Sequence, residues 1–261
     1  MLLTRLGLSL GAAALAALHV GAPATTLVSA PAASSTASSS GPLAGRTVVI
    51  DPGHQLGNAR FPRQINAPVD AGGFDKPCNT TGTATNAGYP EATFAWKVAV
   101  GVRDRLRALG ATVIMTRHSN SRAKWGPCVD VRGKIGDRGY RGRTSDADLK
   151  LSIHGDGSAA GNHGFHVIVA TAKKAESMPY ALDTRAALQR AGFVRSTYIG
   201  AGTALSVRGD LGTLNWSDMP TVMVELGNMR NAGDARVMRS AAGQRRYATA
   251  LASAAQTYLS R

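Results

Sequence analysis

The pattern of apolar runs predicts an α/β fold: a single domain on a mostly parallel central sheet, flanked by helices on both faces. Three observations predict it. Thr47–Ile50, Ala111–Thr116, Asp148–His154, Gly164–Ala170 and Thr221–Val224 are short runs rich in β-branched and other apolar residues, as expected of strands buried in a sheet. Residues 90–110, 176–191 and a stretch ending at Leu259 carry helical spacing. Strands that alternate with helices are joined by crossovers, and crossovers give parallel pairing.

Length and composition agree. The chain has 261 residues, 44% of them hydrophobic, enough for one sizeable core. Residues 1–30 have the makings of a signal peptide. Arg5 is a short positive region, Leu6–Val20 is apolar but short for a membrane span, and small-residue sites follow at Ala22-Pro23-Ala24 and Ala30-Pro31-Ala32. An uncleaved anchor is the other reading of that stretch. Residues 31–45, rich in Ser, Ala, Thr and Pro, read as a disordered linker, which leaves 46–261 as the folded domain. Export to the periplasm, cell wall or extracellular space is the expectation, with no transmembrane span after signal cleavage.

The formal charge of +14 falls to +13 when Arg5 leaves with the signal. Such a surface attracts polyanions. In an exported protein these are anionic wall polymers or lipid headgroups; no nucleic-acid-binding motif is present. Cys78 and Cys128 are the two cysteines. In an oxidising compartment they form a disulfide, which closes a loop of about 50 residues and contributes roughly 4 kcal/mol in the chain-entropy model.

The elements follow in order. Thr47–Ile50 is a buried strand that ends at Asp51-Pro52-Gly53-His54, so His54 stands at its carboxyl end, where open α/β sheets build their sites. Gln55–Gly88 is polar and aperiodic, a long loop expected to wall one side of a groove. Pro90 opens a helix on which Glu91, Ala95, Val98, Val102 and Leu106 share one face. Glu91 is thus a carboxylate in a first turn on the face that meets the sheet, where an unpartnered charge is costly. Ala111–Thr116 is the second strand, and Asp130–Arg143 is expected to be helical despite its glycines. In Asp148–His154, Leu149, Leu151 and Ile153 alternate with Lys150 and Ser152, and the strand ends at His154-Gly155-Asp156-Gly157. His163 and His166 flank or lie within the next strand. Thr221–Val224 ends in Glu225-Leu226-Gly227-Asn228, and a helix from Asn231 or Ser240 closes the chain at Leu259.

If the main strands are parallel, His54, Glu91, His154 and Glu225 converge on one edge. Two imidazoles and a carboxylate make a catalytic zinc set with a fourth position for water. The second carboxylate remains as general base. Spacing does not say which glutamate binds metal; position on the helix favours Glu91. There is no HExxH, and no GxSxG from residue 46 onward; Gly7-Leu8-Ser9-Leu10-Gly11 lies in the expected signal peptide.

The same residues carry a resemblance. Val48-Val49-Ile50-Asp51-Pro52-Gly53-His54, Tyr89-Pro90-Glu91-Ala92, Leu151-Ser152-Ile153-His154 and Met223-Val224-Glu225-Leu226-Gly227-Asn228 are similar, in order, to the motifs of zinc-dependent N-acetylmuramoyl-L-alanine amidases of the amidase-3 type. The resemblance runs from about Arg46 to Leu259. It implies a short single-domain form that hydrolyses the amide between N-acetylmuramic acid and L-alanine in peptidoglycan. It also implies that His54, Glu91 and His154 hold Zn2+ and that Glu225 is the catalytic glutamate. Gly155-Asp156-Gly157 departs from the small-residue motif, such as Ala-Asn, that usually follows the second histidine. The segment before Glu91 is long and carries a cysteine, as in short actinobacterial forms. No blocking helix or wall-binding domain is recognisable, so an open site and a monomer are expected. A zinc carboxypeptidase or endopeptidase acting on stem peptides, and a non-catalytic wall-binding protein, are the competing readings.

Overall fold

A computed structural model describes residues 41–261. The expected signal peptide and most of the expected linker lie outside the described residues. Packing begins earlier than residue 46: Leu43 is fully buried, and its N–H donates to the Leu109 carbonyl at 2.9 Å. One leucine in a Ser- and Ala-rich stretch gives no periodicity, so its docking is invisible in the sequence.

The chain runs β1 (Thr47–Pro52), α1 (Pro62–Asn66), β2 (Pro68–Asp70), β3 (Asp75–Pro77), α2 (Glu91–Ala108), β4 (Thr112–Met115), α3 (Val129–Lys134) and β5 (Leu149–Asp156). It continues with β6 (His166–Ala170), α4 (Lys174–Arg190), β7 (Leu205–Arg208), α5 (Gly212–Asn215), β8 (Thr221–Asn228), α6 (Ala232–Arg239) and α7 (Ala241–Leu259). The main sheet has six strands in the order β4-β1-β5-β8-β6-β7. β4, β1, β5 and β8 are mutually parallel; β6 is antiparallel to β8 and parallel to β7. This is the mostly parallel α/β sheet that the sequence predicts.

Strict alternation gives the sheet two faces. Val48 and Ile50 of β1, Leu149, Leu151 and Ile153 of β5, and Val222 and Val224 of β8 join Phe94, Val98, Val102, Leu188 and Leu251 in the large core under α2, α4 and α7. The opposite face carries Val49, Asp51, Lys150, Ser152, Met223 and Glu225. Short elements cover it, with small clusters around Ile135 and Met219 and around Leu214. Lys150 and Ser152 are therefore fully buried rather than facing water.

Two expectations are corrected. Asp130–Arg143 is not one helix: α3 stops at Lys134, Ile135 turns extended (φ −62, ψ 119), and Gly136 and Gly139 take φ of 104 and 80. Those left-handed angles suit glycine and end a helix. Gln55–Gly88 is not featureless either. It holds α1 and a β2–β3 hairpin, stitched by backbone bonds from Cys78 N–H to Ala67 O and from Val129 N–H to Cys78 O, both 2.8 Å. The Cys78–Cys128 disulfide is present and fastens this segment to the start of α3.

Candidate active site

β1, β5 and β8 end side by side, so their last residues meet at one edge. His154 is the register partner of Glu225 across β5 and β8. Glu91 enters from the side, because Pro90 starts α2 just beyond that edge and the Glu91 N–H donates to Thr83 O at 2.9 Å. The result is a tight three-residue nest. Glu91 Oε1 lies 3.0 Å from His54 Nε2 and 2.8 Å from His154 Nδ1. One donor atom from each of the three falls within 4.8 Å of the others. Glu91 Oε2 accepts from the Thr83 N–H at 2.9 Å.

The second nitrogen of His54 explains what the nest wants. His54 Nδ1 lies 3.1 Å from the Thr80 carbonyl and donates to it. In the neutral imidazole that leaves the Nε2 lone pair pointing at a carboxylate oxygen. A cation between the two resolves the conflict. A carbonyl that accepts from the other ring nitrogen is also how metal-binding histidines are held in one tautomer. The donor set, two imidazoles and one carboxylate with a side open to the cleft, fits zinc. Burial alone would raise the Glu91 carboxyl; with a positive charge at His54, whose place a bound cation takes, and with the bond from His154, Glu91 is held well below the usual carboxylate range.

Glu225 lines the same cleft, a cavity of about 390 Å³ walled by Asn79, Thr80, Gly82 and Thr83 of the long polar segment. Its Oε2 is buried with no hydrogen-bond partner among the described residues. Burial, then the negative charges of Glu91 and Asp156, raise its carboxyl well above the ordinary value, with Arg208 opposing. The two glutamates of the site are thus pushed in opposite directions. That separation is the arrangement in which one carboxylate binds and another moves protons.

The structure brings His54, Glu91 and His154 into contact and sets Glu225 in the same cleft. His166 is the register partner of Glu225 on β6, on the side away from His154. It packs edge-on to Tyr198, and burial lowers it to about 4, so it is a neutral imidazole outside the nest.

Sequence reasoning missed the support. Asp51, fully buried, accepts from Arg132 Nη1 at 2.5 Å, from the Thr116 hydroxyl at 2.5 Å and from the Ser152 hydroxyl at 2.7 Å. Arg132 also donates to the carbonyls of Pro52 and His54, at 2.8 and 2.7 Å. Arg117 donates to Pro52 O, Gly53 O and Ala92 O at 3.0, 3.1 and 2.8 Å. These arginines clamp the turn in which His54 takes a φ of 55, a left-handed angle that costs of order 1–3 kcal/mol for a residue other than glycine. Gly53 and Gly82 give the close approach: a Cβ on Gly53 would sit 2.4–2.8 Å from the His154 ring, and one on Gly82 2.8 Å from Glu91 Oε2. Asp51, Gly53 and Arg117 are signalled only by their position at strand ends, and Arg132 and Gly82 carry no such signal.

Residues 48–257 match the family model described as N-acetylmuramoyl-L-alanine amidase, Amidase_3. The chain is 37% identical over 227 residues to the N-acetylmuramoyl-L-alanine amidase Rv3717 of Mycobacterium tuberculosis, an alignment covering 85% of this chain and 89% of that one. The crystal structure of the apo form of Ami1, the N-acetylmuramyl-L-alanine amidase of Mycobacterium abscessus, superposes with a TM-score of 0.76 at 42% identity, over 83% of this chain and 100% of that one. AmiC2 of Nostoc punctiforme shares the fold at 22% identity with a TM-score of 0.63, over 85% of this chain and 99% of that one. By the extent of the family match and the identity to these relatives, the chain belongs to the amidase-3 family of N-acetylmuramoyl-L-alanine amidases.

Proposed function

We propose that the protein hydrolyses the amide between the lactyl group of N-acetylmuramic acid and L-alanine in peptidoglycan, releasing stem peptides. In this reading His54, Glu91 and His154 are zinc ligands and Glu225 is the general base. The observation that carries it is the nest itself: His54 Nε2 and His154 Nδ1 close on one Glu91 oxygen, with His54 Nδ1 committed to the Thr80 carbonyl. Bound zinc supplies a Lewis acid for the amide carbonyl and lowers the pKa of water. Glu225 takes the proton of the attacking water on a carboxylate oxygen and hands it to the leaving amine of L-alanine. Its raised proton affinity suits a group that must hold that proton between the two steps. Asn79, Thr80, Gly82 and Thr83 form the wall against which the stem peptide lies.

The same proposal includes cleavage of a signal peptide within residues 1–30, export to the cell wall, action as a monomer, and attraction of the basic surface to anionic wall polymers. No helix of the described residues is long and apolar enough to cross a membrane.

Metal analysis of the purified protein, together with mass spectrometry of digested muropeptides, tests it. One zinc per chain and free peptides beginning in L-alanine are the expected result. Zinc with a cut inside the stem would replace the amidase reading with a peptidase. Neither metal nor cleavage, after zinc is supplied, would leave a wall-binding protein.

A further inference from the structure

A second concavity, about 730 Å³, runs along the outer edge of the sheet, away from the nest. Its floor is β4, which among the described residues pairs only with β1. The N–H groups of Thr112 and Thr116 point inward, to Arg46 O and Ile50 O of the β1 side, so those of Val113 and Met115 point outward into the trough. α2 forms one wall and the segment from Arg117 to Arg143 the other.

The lining is one-sided in charge. Among the described residues it holds Arg103, Arg107, Lys124, Arg141 and Arg143, with His118 beside them, and no carboxylate. Among the described residues, only Arg103 of these has a carboxylate partner, its neighbour Asp104. Aromatic rings lie between the cations. Trp125 is 45% exposed and packs on Phe61. Tyr140 lies under the Arg141 guanidinium at 5.3 Å, and Trp96 under that of Arg117 at 5.1 Å.

We propose that this trough is a second binding site, distinct from the catalytic cleft, for a phosphate-bearing polysaccharide. Guanidinium groups match phosphate geometry with paired hydrogen bonds. The exposed ring of Trp125 can cover the apolar face of a sugar and loses little conformational freedom in doing so. Interleaved rings and unpaired cations, with no acid among them, are what a glycan carrying phosphates requires. A neutral glycan leaves the cations unused. An added peptide strand would need the outer edge of β4 clear, and arginines over that edge oppose strand addition; Arg107 Nη2 already reaches Val113 O at 3.5 Å.

The trough and the cleft share a wall. Gln55 lines the trough and follows His54, and Arg117 lines it while holding Pro52 and Gly53. A polymer lying there is held against the back of the catalytic turn, so the enzyme stays on the wall between cleavages. This deepens the wall-enzyme reading and rests on it for the kind of polymer.

The test uses the full chain and three probes: phosphomannan, unphosphorylated mannan and polyglutamate. The triple variant Arg107→Glu, Lys124→Glu, Arg141→Glu is compared with Arg63→Glu, Arg190→Glu, Arg236→Glu, which makes the same charge change outside the trough. The trough variant should weaken phosphomannan binding at least about tenfold and the control less than about threefold, because charges in contact count for more than distant ones in salt. Trp125→Ala should weaken phosphomannan binding and leave polyglutamate binding unchanged. Turnover of a small soluble muropeptide should be the same in all of them. Equal losses in the two triples would overturn the site in favour of diffuse charge. Mannan bound as tightly as phosphomannan, or polyglutamate bound as tightly with Trp125→Ala neutral, would overturn the ligand. If the triple variant fails to fold, Arg141→Glu and Trp125→Ala, both at exposed positions, decide by the same criteria. Wild-type protein that binds phosphomannan but does not cleave muropeptide would sink the catalytic reading and leave this one standing.

Discussion

Arg132 joins Asp51 to His54: one guanidinium donates to Asp51 Oδ1 at 2.5 Å and to the His54 carbonyl at 2.7 Å. Both side chains of that ion pair are buried, at 3% and 0% exposure. The pair therefore couples the stability of the sheet edge to the orientation of an imidazole.

Arg132→Ala leaves Asp51 as an uncompensated buried charge, which typically costs about 3–5 kcal/mol. It also frees the His54 turn, so zinc affinity should fall roughly 10–100-fold, as when other groups that orient a metal-binding side chain are removed. Chemical denaturation measures the first and chelator competition the second. Asp51 adds a pH signature. Burial raises it, but Arg132 and the Thr116 and Ser152 hydroxyls more than offset this and hold it far below the usual range. The unfolded chain then binds the proton first, so this stability is present above about pH 4 and is lost as pH falls below it. Asp51→Asn should flatten that acid limb.

Glu225→Gln should keep metal and lose turnover by about 10²–10⁴-fold, since an amide cannot take the proton. His154→Ala should lose metal. Zinc content and rate measured on the same preparations separate the roles; a Gln variant with most of its turnover would remove Glu225 as base.

Gly53→Ala puts a methyl group 2.4–2.8 Å from the His154 ring. The ring must move, so zinc affinity should drop while circular dichroism stays unchanged. Gly161→Ala, where the new atom would meet nothing within 4 Å, serves as the control and should bind zinc normally.

Lys150 is fully buried on β5, its Nζ donating to Gly133 O. Burial, opposed by Asp137, Asp51 and Asp218, pushes its ammonium down to about 8. Above that pH the folded state has released a proton that the unfolded chain still holds, so stability should rise between about pH 8 and 10. The slope is at most about 1.4 kcal/mol per pH unit. Denaturant midpoints of the wild type at pH 7.5 and 9.5 should differ, and Lys150→Met should lose the difference.

The fold was legible because strand ends and helix starts leave local marks. Val49-Ile50 before Asp51-Pro52-Gly53, and Pro90 before Glu91, place residues on one edge once parallel pairing is assumed. The reversal of β6 was not legible, since an apolar run has no direction. Nor were Arg117 and Arg132: charged residues in polar stretches read as solvated, and only tertiary closure over Asp51 buries them. The breakup of 130–143 was announced by Gly136 and Gly139, whose left-handed angles overrode the helical reading. Lys150 misleads in the same way, alternating like a surface residue beneath a second layer of short elements.

The Cys78–Cys128 bond draws its meaning from its neighbours. Asn79 and Thr80 follow the first sulfur, Val129 and Arg132 the second, and Thr80 and Arg132 both hold His54. No strand of the six-stranded sheet contains either cysteine. The bond thus ties to each other the two segments that hold His54 in place, at a point outside the pairing of the six-stranded sheet.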